Sequence, residues 1–174
     1  IRSVGKIGRL SRTVSTSIKV AHGIAKETES SHHPAFDYAL YSASNSTFKN
    51  AGGAKINGSV YAHDIEFDAT NTIIDGDIIS EKSINLKSAV NVKGNIYAMN
   101  GFVKLSNSDI EMKGDIHATE DVTLSHGTIV DGNIYTNRSV TLHSSNAKVT
   151  GDIHAGGNVS LGWAVDVNNL FTNG

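Results

Sequence analysis

Gly114-Asp-Ile-His-Ala-Thr-Glu-Asp-Val-Thr-Leu-Ser-His-Gly-Thr-Ile-Val-Asp131 decides the fold. Three short runs alternate with period two: Ile116 and Ala118, then Val122 and Leu124, then Thr128 and Val130. Each run is a strand of three or four residues, and the polar residues between runs make corners. Gly132 then restarts the cycle. The opening phrase recurs as Gly58-Ser-Val-Tyr-Ala, Gly76-Asp-Ile-Ile-Ser, Gly94-Asn-Ile-Tyr-Ala, Gly132-Asn-Ile-Tyr-Thr and Gly151-Asp-Ile-His-Ala. Its glycines stand 18, 18, 20, 18 and 19 residues apart. A fixed period near 19 is the signature of stacked coils.

Three columns run through the stack. The first strand contributes Leu40, Val60, Ile78, Ile96, Ile116, Ile134 and Ile153. The second contributes Phe48, Phe67, Leu86, Leu105, Leu124, Leu142 and Leu161, and the third Ile56, Ile74, Val92, Met112, Val130 and Val149. Asp37-Tyr-Ala-Leu-Tyr-Ser fits as a degenerate first coil, and Asn168-Asn-Leu-Phe-Thr as the start of an eighth, with either Leu170 or Phe171 inward. The expected fold is all-β: a three-sided parallel β-solenoid of about seven coils of 18–20 residues over 37–174. One coil holds about four large aliphatics, too little burial to order its own backbone, so the coils must stack.

Residues 1–36 form a second region. Ile1, Val4, Ile7, Leu10, Val14, Ile18 and Ala21 recur at three- and four-residue intervals, which predicts an amphipathic helix, although Val14–Val20 is rich enough in Ser, Thr and β-branched residues to be extended. Residues 27–36 read as a linker. Residues 1–26 carry six basic groups, among them Arg2, Lys6, Arg9, Arg12 and Lys19, and no acid, whereas the remainder carries nine basic and seventeen acidic groups. By charge alone the basic segment suits nucleic acid, an anionic membrane or envelope surface, or an acidic protein face. The repeat body has no cationic stripe, so nucleic acid is not an expected partner. With no cysteine, disulfides and thiolate metal sites are excluded. The start at Ile1 reads as processed or as lacking an upstream segment.

Two outer features invite a functional reading. After each glycine comes Asp77, Asn95, Asp115, Asn133, Asp152, continued by Asn168 or Asn169; the strict alternation of acid and amide reads as a hydrogen-bonded ladder. A calcium ladder would instead want consecutive carboxylates. The next outward column is Tyr41, Tyr61, Ile79, Tyr97, His117, Tyr135 and His154, continued by Phe171 if Leu170 is the inward residue. It reads either as β-propensity on a pleated surface or as an aromatic stripe that receives another subunit or the amphipathic N-terminal helix. No catalytic constellation, metal site or cofactor site emerges, so a non-enzymatic role without cofactors is expected. His117 and His154 lie two coils apart, too far to share a metal.

The recurrent Gly-[Asp/Asn]-Ile-[Tyr/His]-Ala, followed by Val-x-Leu and Val-x-Gly over residues 38–172, resembles the bactofilin domain. It is also similar to repeats in pilus-assembly and surface proteins of Gram-positive bacteria. The resemblance implies a right-handed coil and nucleotide-free assembly into filaments. The long basic start and the Asn/Ser/Thr-rich corners depart from typical bactofilins. They favour an extracellular or cell-surface filament over a cytoplasmic, membrane-associated one.

A solenoid ends in open strand edges unless it is capped. The pattern stops near Phe171 with no helix left to cover it, so a homopolymer is expected. Its interface would be Tyr38, Leu40 and Phe48 at one end and Val165, Val167, Leu170 and Phe171 at the other, with the basic segment docking on a neighbour. One alternative is an adhesive or glycan-binding solenoid using the aromatic stripe. The other is a left-handed β-helix acyltransferase, disfavoured by Lys82 and Glu120 where that class wants small residues and by coils of 19 and 20 residues.

Overall fold

The computed structural model describes residues 2–7, 10–15, 35, 37–50, 53–69, 71–87, 89–106, 109–143 and 146–173, with side chains at 2–7, 10–15, 48–50 and 69 left aside. From Leu40 to Thr172 the chain winds through three parallel sheets. The first face holds eight strands: Leu40–Ser42, Val60–Ala62, Ile78–Ser80, Ile96–Ala98, Ile116–Ala118, Ile134–Thr136, Ile153–Ala155 and Leu170–Thr172. The second holds seven: Ser46–Asn50, Ile65–Ala69, Ile84–Leu86, Val103–Leu105, Val122–Leu124, Val140–Leu142 and Val159–Leu161. The third also holds seven: Lys55–Ile56, Thr72–Ile74, Val90–Val92, Glu111–Lys113, Ile129–Asp131, Lys148–Val149 and Asp166–Val167. Successive strands on one face belong to successive coils.

Strands this short form because their side chains leave no register choice. With a period of two, a slip of one residue would turn every aliphatic outward. The pairing is accordingly like on like. Val60, Ile78, Ile96, Ile116, Ile134 and Ile153 stack in one file, and Phe67, Leu86, Leu105, Leu124, Leu142 and Leu161 in another. Ile74, Val92, Met112, Val130 and Val149 make the third. Apart from Leu161 on the last coil, the residues of these files are buried and form one continuous core. Leu170 pairs with Ile153 and Phe171 with His154, so the eighth coil opens with Leu170 in the inward file.

The second inward position of the first face is kept small, with Ala62, Ser80, Ala98, Ala118, Thr136 and Ala155 all buried. The corner tightens there, and the hydroxyls take part in it. Ser80 Oγ donates to the His63 carbonyl at 3.0 Å and accepts from the Lys82 N–H at 3.2 Å. Thr136 Oγ1 donates to the Glu120 carbonyl and accepts from the Arg138 N–H. Buried polar atoms are thus satisfied locally.

The N-terminal segment departs from the expected helix. Arg2–Ile7 and Leu10–Ser15 pair antiparallel, with Arg2 opposite Ser15, Val4 opposite Thr13 and Ile7 opposite Leu10. The composition accounts for the difference. Thr, Ser, Val and Gly are weak helix formers, and the β-branched ones favour a pleated strand. Arg2, Lys6 and Arg12 lie in this hairpin; Arg9 and Lys19 lie outside the described residues.

Candidate functional site

The Gly-Asx corner joins third face to first, and its glycines are demanded by close approach. A Cβ at Gly76 would lie 2.5 Å from Gly58 C, 2.6 Å from Ser59 N and 2.8 Å from Gly58 O, all backbone of the preceding coil. With the corners this close, the Asx side chains bridge coil to coil. Asn95 N–H donates to Asp77 Oδ1 at 2.7 Å, and Asp115 N–H to Asn95 Oδ1 at 2.8 Å. Asn133 N–H donates to Asp115 Oδ1 at 2.7 Å, and Asp152 N–H to Asn133 Oδ1 at 2.8 Å. The repeated bond therefore runs from backbone N–H to Oδ1, an acceptor that Asp and Asn share. Side-chain amides add bonds at Asn133 to Asp115 and at Asn168 and Asn169 to Asp152. Among the described residues no group of three or more His, Asp or Glu is placed to hold a metal ion.

The outward column of the first face is a stack of rings. Tyr97, His117, Tyr135, His154 and Phe171 follow one another with centroids 5.0, 4.9, 5.0 and 4.7 Å apart and planes within 12°. Sheet spacing sets this distance, and it falls within the range of aromatic stacking. Ile79 interrupts the column below Tyr97. Under it Tyr41 and Tyr61 stack at 5.2 Å, with Tyr38 beside them at 6.1 and 5.1 Å. Stacking consumes the ring faces, so the column presents mostly ring edges to solvent. A groove of about 460 Å³ runs along those edges, lined by His117, Tyr135, Asn137, His154, Phe171 and Asn173 among others.

A carboxylate on the coil that carries Ile79 takes up the Tyr61 hydroxyl. Glu81 accepts from Tyr61 OH and lies 2.8 Å from His63 Nδ1. The hydrogen bond from Tyr61, then that from His63, holds the Glu81 carboxyl below its usual range. The same bond to Glu81, aided by burial, pushes Tyr61 up to about 12. A phenol held protonated is a poor nucleophile, so the trio fits a fastening role better than a reactive one.

The last described coil is apolar and partly exposed. Leu142 and Ile153 are fully buried, yet Leu161 and Leu170, one coil further along the same files, are 42% and 41% exposed. Phe171 is 51% exposed and Trp163 82%. Val165 and Val167 are half-buried there, as Tyr38 and Leu40 are at the opposite end. Phe48 pairs through its backbone with Phe67, and its side chain lies outside the described residues. No helix among the described residues is long and apolar enough to cross a membrane.

A further file escaped the sequence reading. Gly53, Asn71, Asp109, Gly127, Asn146 and Ala164 all have φ between 52° and 73°, and each stands three residues before an inward residue of the third face. This left-handed corner starts the third strand. Gly, Asn and Asp tolerate it, so their recurrence at that offset was the available signal.

Comparison of the chain with protein-family models, with curated proteins and with solved structures gives no match.

Proposed function

We propose that the chain is a structural, non-catalytic subunit that assembles head-to-tail into a filament, the end of one solenoid stacking on the start of the next. One observation carries the reading: files that are fully buried inside the stack become about two-fifths exposed on its last coil, at Leu161 and Leu170. An apolar cross-section bordered by strand edges is a template for further pairing. Another coil of the same design is the surface that matches it most closely, and covering the exposed two-fifths of each such leucine contributes roughly 0.6–1.2 kcal/mol. The bactofilin-like repeat supports the same direction.

The aromatic column favours assembly over glycan binding, because its ring faces are already taken by one another. The basic residues of the hairpin, Arg2, Lys6 and Arg12, suit docking on the acidic body of a neighbour or on an anionic envelope surface, which supports the reading of a cell-surface filament.

Sedimentation velocity on the 174-residue chain tests the proposal, alongside a Leu161→Glu/Phe171→Asp variant whose changes fall on exposed positions. The parent is expected to sediment as polymers and the variant as single subunits with an unchanged β-sheet spectrum. A parent that stays monomeric at high concentration overturns the reading.

A further inference from the structure

We propose that the groove beside the ring stack is a carboxylate-binding site. It takes a carboxylate on a short aliphatic stem, from a small dicarboxylic acid or a glutamyl side chain, at the place where an earlier coil uses its own Glu81. The site is complete within one chain and is independent of the filament reading.

The repeat supplies its own template. Each coil leaves the first face through a corner, and the residue that opens the corner stands beside the outward ring column. After Ile78–Ser80 that residue is Glu81, whose N–H donates to the Ala62 carbonyl of the preceding coil at 3.2 Å. Its carboxylate accepts from Tyr61 OH and lies 2.8 Å from His63 Nδ1, both on that preceding coil. A tyrosine hydroxyl and a donor from the corner thus already hold one carboxylate against this face, in hydrogen bonds strengthened by its charge.

The same place recurs after Ile153–Ala155 without its carboxylate. Thr136 pairs with Ala155 as Ala62 pairs with Ser80, and the Gly156 N–H donates to the Thr136 carbonyl at 2.9 Å. By that register Gly156 stands where Glu81 stands, Tyr135 where Tyr61 stands, and Asn137 where His63 stands. A side chain cannot fill the place from within, because a Cβ at Gly156 would lie 2.4 Å from Asn137 O and 2.8 Å from Asn137 C. What remains is the groove of about 460 Å³, lined by Tyr135, Asn137 and Gly156 and also by His117, His154 and Asn173. The tyrosine hydroxyl, the asparagine amide and an imidazole N–H are all donors to an acceptor-only group such as a carboxylate. None of the lining residues is Asp or Glu, although the chain carries 17 of them, so nothing in the lining repels an anion. Ala118 and Ala155 leave room for an aliphatic stem. The Tyr135 ring is held in advance, stacked between His117 and His154 at 4.9 and 5.0 Å, which lowers the ordering cost of binding.

Ligand-observed saturation-transfer NMR with glutarate tests the site on the whole chain, whatever its assembly state. Glutarate is expected to bind with a millimolar dissociation constant, and the neutral glutaramide is not. Tyr135→Phe/Asn137→Ala is expected to weaken glutarate binding by about tenfold or more. Phenylalanine keeps the ring stack, as Phe171 does on His154, and an unchanged β-sheet spectrum checks the fold. Adding Glu81→Ala to that double variant vacates the place between Tyr61 and His63, and is expected to restore binding there. A blocked glutamyl tripeptide separates the two sources of the carboxylate. Binding of glutarate alone assigns the groove to a small acid, binding of the peptide alone to an acidic protein segment, and binding of both shows that the carboxylate suffices. Failure of both ligands to bind, equal binding of glutaramide, or undiminished binding by Tyr135→Phe/Asn137→Ala overturns the site. Failure of Glu81→Ala to restore binding overturns the equivalence of the two places.

Discussion

Replacing Gly76 by alanine probes the feature that lets the coils stack at all. The added Cβ would lie 2.5 Å from the nearest backbone atom of the preceding coil, where ordinary contact begins near 3.4 Å. The corner must therefore open by about 0.9 Å. No flexible side chain can yield instead, because all three nearest atoms are main chain. Two bonds span the gap, Val60 N–H to the Asp77 carbonyl at 2.8 Å and Asp77 N–H to Ser59 Oγ at 3.0 Å. An opening of that size takes both beyond hydrogen-bonding range. Overpacking costs about 1–3 kcal/mol and each lost bond about 0.5–1.5 kcal/mol, giving roughly 2–6 kcal/mol in all. For a chain of this size, at about 2–4 °C per kcal/mol, that lowers Tm by about 4–24 °C. Thermal unfolding followed by circular dichroism reads it directly. Gly53→Asn is the control: nothing lies within 4 Å of a Cβ at Gly53, and asparagine tolerates its φ of 73°. If Gly76→Ala melts within 2 °C of the parent, the close-approach argument for the glycine file is wrong.

Other expectations follow from the same geometry. Ala164→Gly should raise stability by about 1 kcal/mol by relieving the left-handed alanine, and a lower Tm would contradict the assigned φ. Asp115→Ala should cost about 1–3 kcal/mol by orphaning the Asn133 N–H, whereas Asp115→Asn keeps the acceptor and should stay within about 0.5 kcal/mol; equal losses in urea titrations would refute the ladder. Tyr61 is held protonated, so its contribution is complete below pH 10 and lost as pH rises towards about 12. Absorbance at high pH should show one late tyrosine that Glu81→Gln returns towards 10, and a parent without a late component would dismiss the bond. Glu81 is depressed, so its contribution is present above its normal range and lost as the solution is acidified through its lowered pKa. Glu81→Gln should flatten that acid limb, and an unchanged limb would count against it.

Much of the fold was legible because a solenoid writes its structure in repeated columns. The aliphatic files paired as their spacing required, and Leu170 rather than Phe171 took the inward place, since Phe171 completes the ring stack on His154. The Asx file was legible as a ladder, but its alternation suggested bonds between side chains. The repeated bond starts from backbone N–H, which a sequence pattern does not display. The left-handed corners were visible only as scattered Gly, Asn and Asp, because loop lengths vary just before them.

The N-terminal segment misled for a different reason. Its apolar residues recur every three or four positions, yet its Ser, Thr, Val and Gly content favours strands, and a Gly-Arg pair at positions 8 and 9 separates two β-prone runs. Of the candidate surface, the exposed end was expected from edge physics. Trp163 was not singled out, since an isolated aromatic in a corner has no periodicity to mark it.

Electron microscopy of the purified 174-residue chain tests the central claim most directly. The account predicts unbranched filaments with an axial subunit repeat of about 35 Å, one solenoid length. Separate particles of that length at high protein concentration would contradict it.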